Sequence, residues 1–298
     1  MLKSLAIIGA GRVGRTLGRR FRELGWKIGA VSARNRSCAR RSVRFIGAGK
    51  PYAGIPPEAL ASRVILIATP DDTIAGVAEE LARVGRHSLR GRIVLHTSGA
   101  VDSTALRPLA EAGALVGSMH PLQTFSGVGV PPLEGKVFAI EGHRAAVRVA
   151  AQMARALGGS PMPLASSEKP LYHAAASMAA GHVLAVEEAA TRLLMRLGMR
   201  RREAVRALVP LTRQVLENFE RLGPRAAWTG PLSRGDLKVI AAHRAALERG
   251  PDQIRDAYNA LNRLAARVLE PNSSRMLAGL DKISVAPESK AAATGGSA

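Results

Sequence analysis

Gly9-Ala10-Gly11-Arg12-Val13-Gly14 is a G-x-G-x-x-G run that follows the apolar stretch Leu5-Ala6-Ile7-Ile8 and opens a segment of helical period. That context suits a turn that holds a pyrophosphate. Gly9 permits the tight turn, Gly11 lets the backbone approach phosphate oxygens, and Gly14 lets helix and strand pack closely. The helix that starts there offers free N–H groups and the positive end of its dipole. The next informative stretch is Val31-Ser32-Ala33-Arg34-Asn35-Arg36. A cofactor with a free ribose 2′-hydroxyl is usually met by Asp or Glu about 20 residues past the motif. No carboxylate stands here. Ser32 can donate a hydrogen bond and Arg34 can pair with a 2′-phosphate, so the predicted cofactor is NADP(H). Thr69, Pro70 and Asp71 end another apolar run. They are expected to line the ribose nearer the nicotinamide, to cap a helix, or both.

Four further groups carry candidate chemistry. His96, Thr97 and Ser98 end a strand pattern and are expected to hydrogen-bond a nicotinamide carboxamide. Ser98 does not read as a nucleophile, because His96-Thr97-Ser98-Gly99 lacks the first glycine of G-x-S-x-G. His120, just before Pro121, is either a proton or hydrogen-bond donor to substrate, or a histidine bonded only to neighbouring backbone. Lys169 and His173 are four apart and share a face if their helix begins early enough. Both can deliver a proton to the heteroatom of a C=O or C=N group that takes up a hydride. Pro170 places Lys169 at the helix cap, where the other reading is a solvated residue. Arg234 can clamp a substrate carboxylate. Asp236 either orients it or caps and ion-pairs the next helix. No histidine, cysteine or carboxylate set has metal-ligand spacing. Gly47-Ala48-Gly49-Lys50-Pro51 is not a P-loop, since Arg44 stands where the first glycine belongs and Pro51 replaces Ser or Thr.

To bring these groups to one edge, strands must end at them. Apolar runs at 5–8, 28–32, 64–68, 93–95, 115–118 and 137–140 read as strands, alternating with helix-period segments. This alternation predicts an α/β fold: a Rossmann-type, mostly parallel sheet covered on both faces, with ligands at the carboxyl ends of its strands. After residue 165 the strand-like runs stop. Helical segments near 168–198, 201–222, 234–249 and 251–269 predict an all-α C-terminal domain. The expected layout is an NADP-binding domain at 1–165, a helical substrate and dimerisation domain at 166–285, and a disordered tail at 286–298 rich in Ala, Gly and Ser. Small residues on every side of 174–181 point to a helix buried against others, across a homodimer interface.

Composition narrows the partners. Lys and Arg number 43 against 23 Asp and Glu, a formal charge of +20. The excess is dispersed, with no long run and few aromatics between, so nucleic acid is not an expected partner. The single cysteine, Cys38, rules out a disulfide within the chain. Together with the absence of a secretory leader pattern, it makes cytoplasm the expected compartment. No apolar stretch approaches the roughly 20 residues a membrane helix needs.

Several motifs together resemble one family. They are His96-Thr97-Ser98-Gly99-Ala100, Ser118-Met119-His120-Pro121-Leu122-Gln123-Thr124-Phe125, Lys169 with Tyr172-His173-Ala174-Ala175, and Thr229-Gly230-Pro231-Leu232-Ser233-Arg234-Gly235-Asp236. The family is the Rossmann-like proteins with a DUF2520 domain, similar in layout to pyrroline-5-carboxylate reductase and ketopantoate reductase. The resemblance covers nearly the whole chain apart from the tail. It implies an NADP-binding domain, a helical domain and a cleft between them. The expected activity is NADPH-dependent reduction of a small carbonyl or imine substrate that carries a carboxylate. Gly181 departs from the family pattern, where an asparagine is expected. That departure keeps a non-catalytic NADP(H) sensor as the alternative.

Overall fold

The computed structural model describes residues 3–284, so the tail expected at 286–298 lies outside the described residues. The chain divides into two compact units, Met1–His182 and Val183–Ala298. The strand-like pattern ends near 165, whereas packing divides the chain after His182.

In the first unit eight strands make one sheet. In chain order the elements are β1 (Ser4–Ile8), α1 (Arg12–Glu23), β2 (Lys27–Ala33), α2 (Arg36–Ile46), β3 (Lys50–Ala53), β4 (Val64–Ile67), α3 (Ile74–Gly85), β5 (Ile93–His96), α4 (Arg107–Glu111), β6 (Leu115–Pro121), β7 (Val137–Gly142), α5 (Arg144–Ala156), β8 (Ser160–Pro163) and α6 (Lys169–Ser177). The spatial order is β3-β2-β1-β4-β5-β6-β7-β8. The strands from β3 to β6 are parallel, β7 runs antiparallel to β6, and β8 follows β7. The carboxyl ends of β1, β2, β4, β5 and β6 therefore share one edge.

The sheet is buried on both faces. Successive side chains of a strand point to opposite sides. Leu5 and Ile7 join one cluster with Leu17, Phe21 and Phe138, while Ala6 and Ile8 join another with Ile74, Leu81 and Leu109. Double burial is why the central strands read as continuous apolar runs. β3 and β8 gave no such signal because they are the two edge strands. Each is only half-buried, and Pro51, Pro161 and Pro163 are tolerated there for want of a ladder on one side.

The second unit is helical, with α7 (Val183–Arg196), α8 (Arg201–Ala227), α9 (Leu237–Leu247), α10 (Asp252–Val268) and α11 (Ser273–Ser284). Gly223 lies inside α8 at φ 78°, a left-handed break that ends the regular run where the sequence pattern ended it. α11 had no counterpart in the sequence reading. It supplies Leu280, which is fully buried with Leu232, Ile240 and Ala266. Among the described residues no helix is long and apolar enough to cross a membrane.

Candidate functional site

A cavity of about 800 Å³ opens at the ends of β1, β2 and β4. Gly9 sits at φ 86°, and the N–H groups of Gly9 and Ala10 both donate to the Ser32 carbonyl. These bonds tie the turn to the end of β2. A Cβ on Gly14 would lie 2.6 Å from the Gly9 carbonyl oxygen, so α1 packs on β1 only without one. Gly11 is different. A Cβ there would meet nothing within 4 Å, because Gly11 faces the cavity. α1 begins at Gly11 with no capping side chain and no acidic residue in its first turn. Its first N–H groups thus have no partner within the helix.

Two hydroxyls in this cavity are orphaned. Ser32 is 1% exposed and its Oγ has no hydrogen-bond partner; Thr69 is only partly buried, but its Oγ1 is also buried and without a partner. Buried polar atoms are rarely left so unless a ligand or water completes them. Arg12, Arg34 and Arg41 also line the cavity. The donor set, with its glycine cradle, uncapped helix start and arginines, fits a phosphorylated dinucleotide.

A second cluster stands at the ends of β5 and β6. His96 pairs in register with Ser118, and Ser118 with Glu141, which makes a polar row across β5, β6 and β7. All three side chains are buried. Lys169, the first residue of α6 and 1% exposed, caps the row. Its Nζ donates to the Ser98 carbonyl (2.9 Å) and to Ser118 Oγ (2.7 Å), and lies 3.7 Å from Glu141 Oε1. Glu141 Oε2 accepts from Ser103 Oγ (2.8 Å) and Ser166 Oγ (3.0 Å). Burial pushes the Lys169 ammonium down from its ordinary value, and the Glu141 carboxylate opposes that push.

Beside this row, His120 Nδ1 lies 2.8 Å from the Tyr172 hydroxyl. The His120 and His173 rings meet edge to face with centroids 5.9 Å apart. Gly99 makes the approach possible, since a Cβ there would fall 2.6 Å from His173 and 2.9 Å from His120. Burial, then the charges of His173, Lys169 and His96, hold His120 down to about 4. Burial and then Lys169 do the same to His96, also to about 4. Burial raises Tyr172 to about 12. The folded protein thus refuses protons that the unfolded chain accepts near pH 6.5. Stability contributed by the neutral histidines is present above that pH and lost as pH falls toward 4. The urea midpoint is expected to drop steadily on acidification across this window, and His120→Phe to reduce the drop. A midpoint flat from pH 6.5 to 4 would contradict the account.

Of the residues expected at the cofactor, Gly9, Ala10, Gly11, Arg12, Ser32, Arg34, Thr69 and Pro70 line the cavity. Val13 packs instead against the apolar core and Gly14 against the strand. At the start of α3 it is Asp72, not Asp71, that lines the cavity. His96 and Ser98 are turned inward. His96 Nδ1 accepts the Ser98 N–H, and Ser98 Oγ accepts the N–H groups of Ala100 and Val101. Thr97 beside them is half-buried. Lys169 begins its helix as Pro170 implied, but it is buried rather than solvated. Arg234 and Asp236 lie in the second unit and pair with each other at 3.1 Å, both exposed. Gly181 sits in a π-helical turn, Met178–His182, with open space around it. Among the described residues no group of three His, Cys, Asp or Glu could hold a metal. Glu141 and Tyr172 were given no role from sequence. Arg41 reaches the cavity from α2, where it donates to Ser37 Oγ and Cys38 Sγ.

Comparison with known proteins agrees with this architecture. Residues 2–121 match the Rossmann-like domain, and residues 136–265 match the domain of unknown function DUF2520. The chain carries a Rossmann-like domain and a DUF2520 domain. No curated protein matches its sequence. Among solved structures, a Thermotoga maritima protein is 23% identical with a TM-score of 0.66, covering 91% of this chain and 99% of that one. A reductive aminase from Aspergillus terreus, in complex with NADPH and ethyl-5-oxohexanoate, is 18% identical with a TM-score of 0.65, covering 93% and 99%. A pyrroline-5-carboxylate reductase from Coxiella burnetii is 16% identical with a TM-score of 0.57, covering 95% and 98%. At these identities the likeness establishes the shared fold.

Proposed function

We propose that this Rossmann-like, DUF2520-containing chain is an NADPH-dependent oxidoreductase that reduces a small carbonyl or imine substrate. The observation that carries the reading is the buried, unpartnered Ser32 Oγ in a cavity that also holds Arg34 and Arg41. Hydroxyl and guanidinium groups at the end of β2 suit a 2′-phosphate, and no carboxylate at Ser32, Ala33 or Arg34 is there to repel it. Gly11 and the uncapped start of α1 would hold the pyrophosphate. The fold it shares with a reductive aminase and a pyrroline-5-carboxylate reductase supports a C=N or C=O acceptor.

When bound, the nicotinamide supplies a hydride, and the protein's part is to orient the acceptor and deliver a proton to its heteroatom. His120 and Tyr172 suit that part. With its pKa near 4, His120 is neutral at physiological pH. In its Nδ1–H tautomer it donates to the Tyr172 oxygen, which leaves the phenolic proton free for the acceptor. As Tyr172 gives up that proton it takes the one on Nδ1, and a solvent proton enters at Nε2. Lys169 is held by hydrogen bonds to Ser98 and Ser118 and by an ion pair with Glu141, so its role is positioning. NADPH consumption, followed by absorbance over a panel of 2-oxo acids, ketone–amine pairs and cyclic imines, tests the reading. Turnover of at least one class is expected. Tight NADPH binding with no turnover across the panel would instead favour a sensor of the cofactor's redox state.

The helical unit supports the expected homodimer. Leu184, Leu211, Leu216, Phe219 and Leu222 on α7 and α8 are each more than half exposed, a patch of the kind that subunit interfaces cover. Sedimentation equilibrium is expected to give twice the chain mass, and Phe219→Asp to give the monomer. A monomeric wild type would remove this assignment.

A further inference from the structure

The reduction chemistry above leaves Glu141 unexplained. It is a carboxylate buried to 3% exposure at the end of an apolar strand. Its two oxygens reach three other segments. Oε2 accepts from Ser103, just ahead of α4, and from Ser166, in the turn before α6. Oε1 faces the Lys169 ammonium at the first residue of α6. Through Lys169 the same carboxylate is connected to the Ser98 carbonyl, next to Gly99, and to Ser118, two residues before His120.

These contacts have a geometric consequence. Tyr172 and His173 lie three and four residues beyond Lys169, on the same side of the helix. Fixing Lys169 and Ser166 on the sheet sets both the position and the rotation of α6. Fixing Ser98 sets Gly99, the residue against which the His120 and His173 rings close. A carboxylate with two oxygens can hold the turn and the helix start together, and a neutral side chain cannot also balance the Lys169 charge.

We propose that Glu141 is a positioning residue that, through Ser166, Lys169 and Ser103, seats α6 so that Tyr172 and His173 meet His120 over Gly99. The inference rests on the reductase reading for its effect on turnover, but not for its effect on the histidine rings. The test uses the full chain labelled at histidine, with ring resonances assigned by His120→Phe and His173→Phe. Two variants are compared with wild type. Glu141→Gln removes the charge. Ser166→Ala removes one hydrogen bond and leaves no buried charge uncompensated, so it keeps the test alive if the first variant does not fold.

In each folded variant the His120 and His173 ring resonances are expected to shift. NADPH dissociation constants should stay within about twofold, because the cofactor cavity contains none of these residues. Turnover should fall by about 10- to 100-fold in Glu141→Gln and less in Ser166→Ala, the scale expected when a reacting group is misplaced by about 1 Å. Variants that only melt earlier, with ring resonances and kcat as in wild type, would overturn the proposal and leave Glu141 a stabilising residue. Shifted rings in the variants of a wild type that itself turns over nothing would support the positioning role and reject the reductase reading.

Discussion

Gly11→Val is expected to abolish NADPH binding in a protein that folds normally. Gly11 has an ordinary extended backbone and open space where a side chain would go. The substitution therefore costs the fold only the difference between N-cap residues, about 1 kcal/mol or less. The space it fills is the one proposed to hold the pyrophosphate. Losing two charge-assisted hydrogen bonds at roughly 1.5–3 kcal/mol each weakens binding by at least about 100-fold. Gly14→Val supplies the contrast. Its Cβ would collide with the Gly9 carbonyl, Ala68 and Ile7, so it should lower the unfolding midpoint as well as binding. Equilibrium urea unfolding and NADPH fluorescence titration of both variants separate the cases. A Gly11→Val protein that binds NADPH like wild type would mean the cofactor does not use this turn.

The second large effect concerns proton delivery. Tyr172→Phe removes the hydroxyl and keeps the ring, and His120→Phe removes its partner. Each is expected to lower kcat by about 10²- to 10⁴-fold, the usual contribution of a positioned proton donor, with NADPH affinity unchanged. The pH dependence has a defined sign. His120 is held near 4 and Tyr172 near 12. Raising pH through 6.5 therefore removes no proton from either member of the pair, and the limb belonging to His120 falls near 4. Stopped-flow single-turnover rates from pH 4 to 9 check this. A Tyr172→Phe enzyme with wild-type turnover would assign the proton to another group.

What was readable in the sequence follows from how local each signal is. The glycine turn, Ser32 and Arg34 are decided by spacing along one strand–helix–strand segment, and the doubly buried central strands betray themselves as apolar runs. Glu141 was hidden because its meaning comes from register. It follows the run 137–140 and looks like the start of a turn, yet antiparallel pairing sets it opposite Ser118. Tyr172 stood in plain sight beside His173, but its partner is His120, 52 residues earlier. The inward turn of His96 and Ser98 was equally non-local. Both are drawn into the row that Lys169 caps, and Lys169 is buried because Glu141 compensates it. From sequence, Arg40, Arg41 and Arg44 read as helix charges of which one could join the phosphate site, and it is Arg41 that lines the cavity.

The most direct test of the account is a fluorescence titration of NADPH and NADH against wild type and Arg34→Ala. A 2′-phosphate held by Ser32 and arginine predicts NADPH binding at least about tenfold tighter than NADH, with Arg34→Ala weakening NADPH and leaving NADH nearly unchanged. Equal affinities in wild type, or an equal loss of both in Arg34→Ala, would contradict the assignment of this cavity to NADP(H).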